Sequence, residues 1–134
     1  MNGLMGVVLP QLEIVREVLD GMTRDGRDVE VVGPWGAGKT LLAFQTAGAL
    51  GVPLLIITSG RIEAEAVYED LLTFGDRERV ALFPAWEVLP SDAMDPADDI
   101  VAERMDTLMR LTSGLTTRVV APVRSILQYV VSPK

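Results

Sequence analysis

Neither cysteine nor histidine occurs anywhere in the 134 residues. Without thiols there are no disulfides, no nucleophilic sulfur and no cysteine metal site. Without imidazole there is no histidine-ligated metal and no histidine-based triad. No leader is expected, since Met1–Pro10 is apolar but has no basic start and no cleavage site, and a chain without thiols is compatible with a cytoplasmic setting. No apolar run approaches membrane-spanning length. Basic residues are few, 12 against 19 acidic ones, for a net charge of −7. Holding nucleic acid takes clustered Lys and Arg, and these are scattered. Weak or no DNA binding is therefore expected of the chain by itself. Internal repeats, low-complexity tracts and linkers are also absent, leaving a single domain or part of one over residues 1–134.

What is present concentrates between Val29 and Leu50. Gly33-Pro34-Trp35-Gly36-Ala37-Gly38-Lys39-Thr40 fits G-x-x-x-x-G-K-[ST], the phosphate-binding P-loop. Val29, Val31 and Val32 read as a short buried strand before it, a helix rich in Ala and Leu opens at Lys39–Thr40, and Gly51 stops that helix. The chemistry calls for these residue types. Phosphates of ATP or ADP need a ring of inward-pointing backbone N–H groups, and side chains would obstruct it. Gly36 and Gly38 permit close approach and positive φ. The helix start adds unpaired donors and the positive end of its dipole. Lys39 would bridge β- and γ-phosphate oxygens, and the Thr40 hydroxyl would take a Mg²⁺ coordination position.

Strands and helices alternate along the rest. Leu12, Val15, Val18/Leu19 and Met22 keep a helical period after Pro10, and Thr23–Asp28 reads as a polar turn. Pro53–Thr58 is a continuous apolar run, the mark of a strand buried on both faces. Ser59 is a candidate N-cap for a helix striped by Ala64, Val67, Leu71 and Phe74. Val80–Phe83 and Arg118–Ala121 read as further strands. Between them Pro84–Asp95 is a loop whose lone Trp86 is expected to anchor to the core. Asp95-Pro96 then caps a helix with Val101, Met105, Leu108 and Leu111 buried and Asp106 paired to Arg110. Met94, Met105 and Met109 read as gap-filling core. Val123, Ile126, Leu127 and Val130 form a last short helix. The alternation predicts an α/β fold, a parallel sheet flanked by helices.

Two stretches carry a family resemblance. Leu82-Phe-Pro-Ala-Trp-Glu-Val-Leu-Pro-Ser-Asp92 and Asp99-Ile-Val-Ala-Glu-Arg-Met-Asp-Thr-Leu-Met-Arg-Leu111 resemble the N-terminal module of bacterial transcription-repair coupling factors, itself similar to the excision-repair subunit UvrB. Gln11, Gly21 and Gly33 fall at the spacing of a glutamine, a glycine and the P-loop glycine in UvrB. The resemblance implies the first RecA-like lobe of a P-loop helicase, incomplete here, with Gly33–Thr40 as motif I, Thr58-Ser59-Gly60 near motif Ia and Val119–Ser125 near motif Ib. Gln11 would match the glutamine that reads adenine; a solvated first-turn residue is the alternative.

Differences from the family pattern shape the expectation. Coupling factors often carry a decayed P-loop, and this one is intact. UvrB has a tyrosine-rich hairpin where this chain has Trp86–Asp95, so a strand-separating wedge is not expected. The chain ends before the acidic motif II, before the inserted partner-binding domain and before the second RecA-like lobe. Asp92, Asp95, Asp98 and Asp99 read as loop and N-cap acids. Nucleotide binding without hydrolysis is thus expected of the isolated chain. DNA, RNA polymerase and excision-repair proteins would be partners of a parent protein. The rival readings are an interaction scaffold with a vestigial P-loop and a small P-loop kinase or NTPase.

Overall fold

The computed structural model describes residues 13–25, 28–86 and 98–128, which fall in two compact units, Met1–Leu54 and Leu55–Lys134. Gln11, Leu12, Asp92, Met94, Asp95, Pro96 and Val130 lie outside the described residues.

In the first unit helix α1 (Glu13–Asp25) packs on helix α2 (Ala37–Leu50). Val15 and Val18 are the buried members of the predicted α1 stripe, while Met22 is exposed. The helix runs on through Thr23–Asp25, where a turn is predicted. Its polar side chains find partners inside the helix: the Thr23 hydroxyl donates to Leu19 O (2.7 Å) and Arg24 pairs with Asp20 (3.2 Å). Gly21 has a packing reason, since a Cβ there would fall 3.0 Å from Val29 Cγ2.

Val29–Val32 does not form the predicted buried strand. Residues 28–35 are irregular, Val29 and Val31 are exposed and Val32 is 84% exposed. β-Branched residues favour a strand only where a neighbouring strand and an apolar layer receive them. Among the described residues the sheet takes no strand from this stretch. Helix α2 ends as predicted: Gly51 adopts the left-handed conformation, and the Gly51 and Val52 N–H groups donate back to carbonyls of the last turn.

The second unit carries the sheet. Its elements are β1 (Leu54–Thr58), α3 (Arg61–Phe74), a 3-10 turn (Arg77–Arg79), β2 (Val80–Leu82), α4 (Asp98–Thr112), β3 (Arg118–Pro122) and the single-turn α5 (Val123–Ile126). The three strands match the predicted spans to within a residue or so and form a small parallel sheet in the order β1-β3-β2. Val80, Ala81 and Leu82 register with Arg118, Val119 and Val120, and the Phe83 N–H extends the pairing to Val120 O (2.8 Å). Central β3 is buried on both faces: Val119 and Ala121 pack with Phe83 and Leu108, and Val120, of opposite parity, is also fully buried. β1 is not, contrary to its unbroken apolar run. Among the described residues it is an edge strand, and its Leu55 and Ile57 are 56% and 55% exposed.

Helix α3 packs against β2 and β3 through the predicted Ala64, Val67 and Leu71. Its N-cap is Gly60 in place of Ser59; Ser59 sits one residue earlier, its N–H and hydroxyl both donating to Glu63. Helix α4 departs furthest from expectation. Arg104 and Thr107 are its buried residues and Leu108 meets the core, while Val101, Met105 and Leu111 are exposed. Met105 and Met109 are therefore surface, not core filler. The predicted Asp106–Arg110 pair is present at 3.7 Å. In α5 the apolar Val123 and Ile126 are exposed, as is Leu127 beyond it, and Ser125 is buried instead, its hydroxyl donating to Pro122 O (2.7 Å). No helix among the described residues is long and apolar enough to cross a membrane.

Candidate nucleotide-binding site

Gly33–Thr40 is a tight bend leading straight into α2. Gly33 has φ 113° and Gly36 φ 50°, both in the region that favours glycine, and a Cβ added to either would meet no atom of the described residues within 4 Å. The open space in front of these two residues is what close approach by a ligand requires. Gly38, predicted to supply positive φ, does not; it lies inside the helix, where a Cβ would make ordinary contact with Pro34 at 3.9 Å. The helix begins at Ala37, two residues before Lys39. As a result the Gly38 N–H donates to Trp35 O (3.0 Å) and the Lys39 N–H to Gly36 O (3.3 Å). A bend followed at once by a helical turn brings such contacts because each first-turn donor sits three residues beyond a carbonyl.

The side chains divide sharply. Lys39 is exposed and Thr40 is 2% exposed, so the two motif residues that carry side-chain chemistry are adjacent in sequence and opposite in burial. Trp35 is 89% exposed and Pro34 partly buried. Gln11 lies outside the described residues.

The stretches placed near motifs Ia and Ib belong to the second unit, and their hydroxyls are engaged locally. Thr58 is buried with its hydroxyl donating to Gly60 O (3.0 Å), Ser59 donates to Glu63, and Ser125 is fully buried. Arg61 pairs with Glu65 at 2.7 Å. Burial, and then Arg79, pull the Arg118 pKa down, with Asp76 offsetting them. Arg61 and Arg124, beside these stretches, are exposed, and Arg118 is half-buried.

Arg104 is the residue that sequence reasoning missed. It is 3% exposed. Its guanidinium lies 4.2 Å from the Phe83 ring centroid and 5.2 Å from that of Trp86, and it donates to Pro84 O at 2.6 Å and, more distantly, to Ser125 O at 3.5 Å. Burial lowers its pKa from the ordinary arginine value. Gln128 completes the arrangement: its side-chain oxygen accepts the Trp86 backbone N–H (2.7 Å) and its amide donates to Trp86 O (3.2 Å). Trp86 is thus anchored as predicted, by an arginine and an amide that no apolar pattern discloses.

No family model matches the chain. Similarity to individual proteins is extensive along the chain. It is 26% identical over 111 residues to the transcription-repair-coupling factor of Bacillus subtilis, covering 83% of this chain and 9% of that protein. To the coupling factor of Myxococcus xanthus it is 34% identical over 116 residues, 82% of this chain and 9% of that one. To UvrABC system protein B of Thermotoga neapolitana it is 26% identical over 129 residues, 87% of this chain and 19% of that one. The chain is a distant relative of both kinds of protein. It spans about a tenth of the coupling factors and about a fifth of the protein B sequences it matches. The small α/β unit described above is consistent with part of a RecA-like lobe in such a relative.

Proposed function

We propose that the chain is the nucleotide-binding lobe of a coupling-factor-like DNA-repair protein, taking ATP or ADP with Mg²⁺ at Gly33–Thr40 and not hydrolysing it alone. The observation that carries this reading is the pair of positive-φ glycines, 33 and 36, opening onto free space directly before a helix N-terminus. Lys39 and the donors of the bend would hold phosphate oxygens, and Thr40 would ligate Mg²⁺. Among the described residues no group of three or more His, Cys, Asp or Glu is placed to hold a metal. Bound Mg·ATP would supply phosphoryl chemistry, but hydrolysis also needs a metal-binding carboxylate and a water-positioning group. Asp99 accepts the Ile100 N–H at 2.9 Å in the first turn of α4, a helix-start role. Gln11 remains the candidate adenine reader. In a parent protein the partners would be DNA, RNA polymerase and excision-repair proteins, in the cytoplasm.

One observation favours a second reading, an interaction scaffold with a vestigial P-loop: Gly38 and Lys39 already donate their N–H groups within the bend. Calorimetric titration with Mg·ADP and Mg·ATP separates the two. Binding that disappears in Lys39→Ala supports the lobe, and no binding at millimolar nucleotide supports the scaffold. Steady-state ATP hydrolysis abolished by Lys39→Ala would overturn the non-hydrolytic part.

A further inference from the structure

Helix α4 is packed with a polar side inward. Arg104 and Thr107 are buried, while Val101, Met105 and Met109 are 38%, 42% and 62% exposed. Four-residue spacing sets these three in one row along the helix, roughly 12 Å from end to end at 1.5 Å per residue. Single exposed apolar side chains are ordinary on a protein surface, but an ordered row on one helix ridge is how helices present themselves to other helices. Two of the three are methionines, whose flexible thioethers fit varied partners.

The neighbouring ridge, Asp98–Ala102–Asp106, precedes each of those residues by three positions and so runs alongside. Asp98 is exposed, and the Asp106 side chain is 61% exposed and paired with Arg110 only at 3.7 Å. Arg110 is committed elsewhere too, donating to Glu78 O. An apolar ridge therefore carries an acidic edge, in a chain of net charge −7. Self-pairing of two such helices would bring acidic edges into a field of like charge, and nucleic acid would be repelled. The charge pattern instead suits a partner ridge edged with cations.

We propose that the Val101–Met105–Met109 ridge docks an amphipathic helical segment of another protein, one that brings apolar anchors at four-residue spacing flanked by Lys or Arg. The contact is helix against helix: the anchors lie between Val101, Met105 and Met109, and the flanking cations meet Asp98 and Asp106.

The test uses the whole chain and labelled peptides of about sixteen residues with leucine at every fourth position and Lys and Arg beside them. Anisotropy should show micromolar binding of this peptide. Binding should be about tenfold weaker, or worse, for a version with Glu flanks and for one of identical composition with scrambled leucine spacing. The Met105→Lys/Met109→Lys variant should lose at least as much while keeping its circular dichroism spectrum, and Asp106→Lys should weaken binding and flatten its salt dependence. Absence of binding, equal binding of the scrambled peptide, or unchanged binding by the double variant would overturn the proposal. So would sedimentation equilibrium showing a dimer that the double variant dissociates, since a second copy would then cover the ridge.

Discussion

Between Gly33 and Gly38 backbone shape distinguishes the chain; around Phe83–Trp86 the choice of side chain does. In the bend two glycines hold positive φ, a Cβ on either would meet no atom of the described residues within 4 Å, and the one large side chain, Trp35, stands in solvent. Around Phe83 the space is filled, by an arginine lying over two aromatic rings and by carbonyls that accept its hydrogen bonds. The first arrangement is set by backbone freedom, and the nucleotide proposed for it would approach the glycines directly. The second is closed by its own residues. Sequence motifs describe the first kind well, because glycine spacing encodes backbone freedom directly. They describe the second poorly, because a buried cation looks like any surface arginine until its neighbours are known.

The largest effect expected is in the packed region. Leu71 is fully buried in α3, and Leu71→Ala should cost about 2–5 kcal/mol, depending on how far the cavity collapses. Urea unfolding followed by circular dichroism measures it. A loss under about 1 kcal/mol would mean that this core is not closely packed.

Arg104→Ala comes next, at about 2–4 kcal/mol, from the lost contact with the two rings and an unpaired Pro84 carbonyl. Arg104→Lys should recover less than half of that, because an ammonium has no planar face to stack on an aromatic ring. Full rescue by lysine would show that charge alone matters there.

In the bend, Gly36→Ala should cost about 1–3 kcal/mol through backbone strain alone, since φ is 50° and the added methyl meets nothing. Nucleotide affinity should fall with it by about tenfold, equivalent to 1.4 kcal/mol. Intact affinity in a destabilised variant would separate the bend's shape from its proposed use.

The smallest effect concerns Glu103. Burial raises its pKa above 4.5, Asp99 raises it further, and Arg61 partly offsets both. The folded chain therefore holds that proton more tightly than the unfolded one. The stabilisation is present below 4.5 and is lost as pH rises through the folded value. Glu103→Gln should flatten the pH dependence just above the ordinary carboxylate range and slightly raise the unfolding midpoint at neutral pH. A lowered neutral-pH midpoint would show that the Arg61 attraction outweighs burial.

How much of this was legible beforehand follows from the same contrast. Three strands, α3 and its Ala64–Val67–Leu71 stripe, the Gly51 cap and the bend itself were readable from period and spacing. Val29–Val32 was not: β-branched residues state a preference, and whether a neighbouring strand receives them is a tertiary matter. The α4 stripe misled for a related reason. Periodicity put Val101, Met105, Leu108 and Leu111 inward, but only Leu108 meets the core; Arg104 and Thr107 occupy the inward side and donate to Pro84 O and Leu82 O. In the candidate site, the glycine positions were readable up to Gly38, whose place inside α2 depends on a helix start two residues earlier than the lysine suggests.

The two tryptophans fall one to each unit, and their surroundings could hardly differ more: Trp35 is bathed in water at 89% exposure, whereas Trp86 is half-buried over a guanidinium. Their emission should therefore separate by wavelength, Trp35 to the red and Trp86 to the blue. Replacing either with phenylalanine leaves a single intrinsic lamp. One lamp would report occupancy of the bend and the other the integrity of the sheet, in the same cuvette and without a label.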